Sequence, residues 1–232
     1  PGSDECTKKA LQLANLNRNE RLHIADLGCG TGASTLVLAE ELNAEVIAVD
    51  LLQPFLDILK VRAATRGLSE QIRTQCGSID ALPFDDGAFD VIWSEGAIYN
   101  IGFQEGALGW KRYLKPGGIL VVSEITWLTQ ERPKELSAYW QAEYPQIALA
   151  SEKFSVLEQL GYSPCGYFVL PPECWTDHYY TPIQERLETF LQRHSRSKEA
   201  QAIAAAERAE IELYRKHQSL YSYGMYIARV PL

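Results

Sequence analysis

The chain has 232 residues, with 22 Lys and Arg against 30 Asp and Glu for a formal charge of −8, and 46% of its residues are hydrophobic. That share fills a core and excludes disorder or a coiled coil, and the length suits one α/β domain with an insertion better than two domains. The acidic balance argues against nucleic acid as a partner. Five scattered cysteines (Cys6, Cys29, Cys76, Cys165, Cys174) form no CxxC pair, which suits a reducing cytoplasm and predicts neither a disulfide framework nor a metal site. No apolar run approaches the roughly 18–20 residues of a membrane span, and Pro1–Cys6 does not read as a signal peptide.

In chain order, Leu22–Leu27 reads as a buried strand stopped by Gly28, Ala33–Leu42 as a helix and Glu45–Asp50 as a second strand. Pro54–Arg66 reads as a helix ended by Gly67, and Ile72–Cys76 and Phe89–Ser94 as further strands. Phe103–Leu114 is a predicted helix stopped before Pro116-Gly117-Gly118, with a strand over Ile119–Ile125. Near-continuous apolar strands alternating with helices imply a parallel sheet covered on both faces. The rhythm then breaks. Helices are expected over Pro133–Tyr144, Glu152–Leu160 and Lys198–His217, with a further amphipathic one where Ile183, Leu187, Phe190 and Leu191 share a face. Strands are expected over Tyr162–Leu170 and Tyr221–Val230. The late helices read either as a packed pair or as a lid over a pocket.

The informative segment is Ala25-Asp26-Leu27-Gly28-Cys29-Gly30-Thr31-Gly32-Ala33. Glycines after a first strand permit a tight turn and let a ligand approach the backbone. Gly28, Gly30 and Ala33 also satisfy a dinucleotide pattern, with Asp50 about 20 residues on, so a nicotinamide-dependent oxidoreductase competes on spacing alone. Asp26 at the strand end would repel a pyrophosphate and suits an ammonium or sulfonium ligand. Cys29 reads as a small filler rather than a nucleophile, since no base is identifiable beside it.

Two later segments, Leu82-Pro83-Phe84-Asp85-Asp86-Gly87-Ala88-Phe89-Asp90 and Lys115-Pro116-Gly117-Gly118, lead into the next strands. With the glycine loop, and in this order over roughly residues 22–125, they resemble the class I S-adenosylmethionine-dependent methyltransferases. Trp93–Gly102 and Trp175–Tyr180 are similar to segments of a small-molecule branch of that family. The Pro1-Gly2-Ser3 start also resembles a native stretch there, one that follows an N-terminal helix, so part of the cofactor lid is expected to lie before Pro1. The resemblance implies a doubly wound, mostly parallel, seven-stranded α/β sheet of order 3-2-1-4-5-7-6. Strand 7 would be antiparallel, helices would cover both faces, and a helical insertion would precede the last strand. Residues 1–232 would form one domain, 1–125 holding the cofactor and 126–232 supplying the substrate and lid half.

Carried over residue by residue, the resemblance gives Asp26 and Gly28 the methionine amino group, with Gly30 and Gly32 shaping the loop. Asp50 would bond the ribose hydroxyls, a charge-assisted pairing, and Leu51 would pack on the adenine. The carbonyl of Ser94 would face the ammonium. Gly77-Ser78-Ile79 stands where many members have Gly-Asp-Ala, so Ser78 and the Ile79 amide replace a carboxylate at the adenine; Asp80 would compensate only if the loop is re-aimed. Each of Asp26 and Asp50 could instead cap a helix or a turn.

A sulfonium donor is already activated, so the protein need only align the acceptor and exclude water. Positioning can supply about 7–11 kcal/mol of a barrier. Candidate acceptor contacts are Glu95, Tyr99, Asn100, Glu124, Trp127, Trp175, His178 and Tyr179. Glu95, Tyr99 and His178 are the catalytic candidates, His178 being the natural base by type, although a loop histidine is as readily structural. The aromatic residues could line an apolar or a cationic pocket. The expected activity is S-adenosylmethionine-dependent methyl transfer to the N or O nucleophile of a small molecule, releasing S-adenosylhomocysteine. The Asn/Asp-Pro-Pro-Tyr signature of base-amine methylation is absent. A non-catalytic S-adenosylmethionine-binding protein is the other alternative. No nucleic acid, membrane or metal partner is expected, and a homodimer is left open.

Overall fold

A computed structural model describes residues 1–17 and 19–232. Seven strands, β1 (Leu22–Leu27), β2 (Ala44–Asp50), β3 (Ile72–Cys76), β4 (Phe89–Glu95), β5 (Leu114–Trp127), β6 (Ser163–Val169) and β7 (Tyr221–Arg229), form one sheet of order β3-β2-β1-β4-β5-β7-β6. A two-residue strand, Ala148–Leu149, adds a short parallel pairing to Thr126 and Trp127. Strands β1 to β5 run parallel, while β7 is antiparallel to both β5 and β6. An all-parallel dinucleotide fold of order 3-2-1-4-5-6 has no such inserted strand. The expected topology is therefore present.

The helices are α1 (Asp4–Ala14), α2 (Ala33–Glu41), α3 (Gln53–Thr65), α4 (Phe103–Lys111), α5 (Lys134–Glu143), α6 (Ala150–Gln159), α7 (Thr181–Arg193) and α8 (Lys198–His217). Side chains alternate across the strands, as a two-residue period requires. Ile24, Val91, Trp93, Ile119 and Val121 enter one core with α1, α2 and α3. Ala25, Leu27, Ile92, Leu120 and Val122 enter the other with α4 and α6. A third, largely aromatic core of Trp127, Trp175, Tyr180, Tyr214 and Tyr221 sits where β5 ends and β7 begins.

Three elements differ from the sequence reading. Strand β5 begins at Leu114 and runs through Pro116-Gly117-Gly118, because a register shift between Phe89 and Val91 absorbs the extra residues. Helix α4 accordingly ends at Lys111. Helix α1 was not anticipated. Ser3 accepts a hydrogen bond from the Cys6 amide at 3.2 Å, Asp4 and Glu5 occupy the first turn, and Cys6, Ala10, Leu11 and Ala14 form the buried stripe. Ser3, Asp4, Glu5 and Thr7 at its start line a cavity beside the glycine loop.

Candidate active site

The carboxyl ends of β1, β2 and β4 meet at the glycine loop, where open α/β sheets bind ligands. The amides of Gly28 and Cys29 both donate to the Val49 carbonyl, at 2.8 and 3.0 Å, tying the loop to β2. Gly28 has φ of +74°, and a Cβ there would lie 2.2 Å from the Ala97 Cβ, so only glycine lets the loop pass the turn that follows β4. Gly30, with φ of +56°, is different: a Cβ there would meet nothing within 4 Å. Its side faces open space at the place where a ligand would approach.

Asp50 ends β2 beside this space. Its Oδ2 accepts from the Gly30 amide and its Oδ1 from the Leu52 amide, each at 2.9 Å, so the carboxylate is fixed and each oxygen keeps a lone pair. Leu51 is 67% exposed, an apolar side chain with no protein cover. Asp26 is fully buried. Its Oδ2 accepts from Ser34 at 2.9 Å and Thr35 at 2.6 Å, while Oδ1 has no donor among the described residues. Burial, opposed by those two hydroxyls, pushes its carboxyl up to about 6. Asp26 therefore lies one layer behind the loop, at the start of α2.

Ser94 donates its hydroxyl to the Leu27 carbonyl at 2.8 Å and pins β4 to β1, leaving its carbonyl as the expected ligand contact. The Gly77 amide donates to the Asp50 carbonyl at 3.0 Å, which brings Gly77, Ser78 and Ile79 alongside the end of β2. The Ile79 carbonyl is held by the Trp110 indole at 2.7 Å, and Asp80 is exposed.

A cavity of about 510 Å³ opens between the glycine loop, α1 and the late insertion, lined by Ser3, Thr7, Gly28, Ser34, Glu95 and His178 among others. Two of the three catalytic candidates thus share one space. Glu95 ends β4 and accepts from Thr7 and from the Trp93 indole, both at 2.8 Å. Its carboxyl is partly accessible through the cavity yet deep in the protein, and burial pushes it up to about 7 against those two donors. It can exchange a proton near neutrality. His178 is exposed on a π-helical turn, Thr176–Tyr180, a local widening that aims this loop at the cavity. Burial pushes the Cys29 thiol up, which fits a filler.

Tyr99 lines a second cavity of about 220 Å³, with Trp140, Tyr144, Trp175, Tyr179 and Tyr223. Pro1 lines both cavities, so they adjoin. The remaining acceptor candidates lie elsewhere. Glu124 is buried and paired with Lys153 at 3.4 Å, Trp127 packs against Tyr221 and under Arg132, and Asn100 donates to the Ala97 carbonyl at 2.9 Å and lines a separate pocket beside Ile79. Sequence reasoning missed Ser3, Asp4, Glu5 and Thr7 on the first cavity and Tyr139, Trp140, Glu143, Tyr144, Glu210 and Tyr223 on the second. Ser3-Asp4-Glu5 is a readable helix start. Thr7 follows it on α1, and the second cavity's residues come from α5 and its C-cap, α8 and β7, which only the folded chain brings together.

The sheet and this end-on site define a doubly wound α/β fold in which an antiparallel strand has entered between β5 and β6. Residues 25–122 match the family model described as "Methyltransferase domain". The chain is 40% identical over 120 residues to the demethylmenaquinone methyltransferase of Thermus thermophilus, covering 51% of this chain and 53% of that one. It superposes on a SAM-dependent methyltransferase from Geobacter sulfurreducens, solved with S-adenosylhomocysteine, with a TM-score of 0.81 at 20% identity, covering 97% of this chain and 91% of that one. A [4+2]-cyclase, SpnF, gives a TM-score of 0.80 at 22% identity, covering 99% and 81%. The chain spans about half or less of the length of the curated relatives it matches. The chain is thus similar to the class I S-adenosylmethionine-dependent methyltransferases, in sequence over residues 25–122 and in fold over nearly its whole length.

Proposed function

We propose that the protein transfers a methyl group from S-adenosylmethionine to a nitrogen or oxygen of a small molecule. The observation that carries this is the pair of carboxylates at the ends of adjacent strands around an open glycine loop: Asp50 fixed with spare lone pairs, and Asp26 with Oδ1 lacking a donor. The cofactor fits these residues on that orphaned oxygen and on the free space beside Gly30. When bound, it supplies a sulfonium-activated methyl group.

Asp50 would hold the ribose hydroxyls and exposed Leu51 would lie against the adenine, with Ser78 and the Ile79 amide at its edge. Gly28, the Ser94 carbonyl and, from behind, Asp26 would favour the ammonium end. Glu95 would hold or accept a proton at Oε2, the oxygen not engaged by Thr7 and Trp93. Tyr99 and His178 would orient the acceptor, and α1 with the Thr176–Tyr180 turn would exclude water. Residues 126–232 supply most of the second cavity and hence acceptor choice.

Incubation with methyl-labelled S-adenosylmethionine and a panel of small amines, phenols and carboxylic acids tests the reading. Label should appear in one acceptor class, with an equal yield of S-adenosylhomocysteine. Cofactor binding with no transfer to any acceptor would favour the non-catalytic alternative.

A further inference from the structure

The second cavity combines two features that serve different ligands when apart and one ligand when together. Its walls are ring faces and edges: Tyr139 and Trp140 lie 5.3 Å apart by centroid, Trp175 and Tyr223 5.4 Å, and Trp175 and Tyr179 6.4 Å. Glu143 and Glu210 also line it. No Lys, Arg or His side chain lines it, the one positive group on its wall is the Pro1 nitrogen, and among the described residues neither glutamate has an ion-pair partner within 4.0 Å. Glu210 accepts a single hydrogen bond, from the Tyr180 hydroxyl at 3.0 Å. The nearby lysine, Lys153, is committed to Glu124, the Gln146 carbonyl and the Phe103 ring; it lies 5.5 Å from the Tyr144 ring centroid but does not itself line the cavity.

A neutral aromatic acceptor would satisfy the rings but desolvate two carboxylates without a partner, which is costly. A simple anion would be repelled. An organic cation satisfies both, because ring faces attract it through their quadrupoles and the carboxylates through charge. The neighbouring hydroxyls report the same negative field. Tyr179 is pushed up to about 12 by burial and then by Glu210 and Glu207, and Tyr139 is raised by burial and then by Glu210, Glu143 and Glu207. At about 220 Å³ the space equals roughly seven water molecules, the size of a small alkylammonium head.

We infer that the cavity walled by Tyr139, Trp140, Trp175, Tyr179 and Tyr223 and edged by Glu143 and Glu210 binds an organic ammonium ion, so that small alkylamines are the acceptor class. This rests on the methyltransferase reading for the word acceptor, but the binding itself does not.

The probes are choline and its neutral isostere 3,3-dimethylbutan-1-ol, titrated without cofactor and followed by calorimetry and by the fluorescence of Trp140 and Trp175. In the titrated protein one residue is added before Pro1, so that the Pro1 nitrogen, which also lines the cavity, is an uncharged amide. Choline should bind, and the isostere should bind at least roughly tenfold more weakly. Glu210→Gln and, independently, Glu143→Gln should weaken choline by roughly tenfold and leave the isostere unchanged. Equal binding of the two probes, no binding of choline, or choline affinity indifferent to both variants would overturn the inference. S-adenosylhomocysteine titrated in parallel separates the failures: if it binds while choline shows no preference, only the ammonium site falls.

Discussion

Replacing Gly30 by Ala separates a ligand-facing glycine from a merely conformational one. Gly30 and Gly67 both have positive φ, +56° and +72°, and a Cβ at either would meet no protein atom within 4 Å. Both substitutions place an L side chain in the left-handed region at a cost of about 1–2 kcal/mol, with no clash added. Gly67 ends α3, far along the chain from the carboxylates, whereas the Gly30 amide donates to Asp50 Oδ2 at 2.9 Å. Urea unfolding should therefore show similar losses for G30A and G67A. Titration with S-adenosylhomocysteine should not: G30A fills space reserved for the cofactor and should bind at least roughly tenfold more weakly, about 1.4 kcal/mol, while G67A binds as the parent does. Parent-like affinity in a folded G30A protein would refute the placement of the ligand beside this loop.

Other consequences concern stability and proton exchange. Lys153→Met leaves Glu124 buried without its cation and should cost about 3–5 kcal/mol in urea unfolding, most of it recovered when Glu124→Leu is added. Asp26 and Glu95 both have folded-state values, about 6 and about 7, above the ordinary carboxylate range. The folded protein thus holds more protons than the unfolded chain between about pH 4 and 7, so stability falls as pH rises through that window. Glu95→Gln should flatten the fall and gain on the order of 3 kcal/mol over the parent by pH 8, read from chemical denaturation across pH. Thr7→Val removes a donor to the Glu95 carboxylate and should raise its titration further, moving the acidic limb of a kcat/KM profile to higher pH if Glu95 takes the proton.

What could be read from the residues was whatever is local in sequence. The run Asp26–Gly32, the Asp50 that closes β2 and the apolar strands each carry their signal within a few residues, and the sheet order followed from the resemblance they support. Ser3-Asp4-Glu5 carried an equally local signal for α1 but lay outside the strand–helix rhythm. The extension of β5 back to Leu114 was hidden because Pro116-Gly117-Gly118 ordinarily stops a strand, and only the bulge opposite Phe89 and Val91 accommodates it. The second cavity was the least legible. Its walls come from α5, Trp175 and the turn after it, α8 and β7, joined by packing across about a third of the chain, and Glu124 and Trp127 looked equally eligible until they proved to be buried against Lys153 and Tyr221.

Calorimetric titration of the protein with S-adenosylhomocysteine, beside its Asp50→Ala variant, addresses the central claim most directly. The parent should show saturable one-to-one binding, and the variant, with its fold intact, an affinity lower by at least roughly tenfold. No measurable binding to the parent, or equal binding to both proteins, would contradict it.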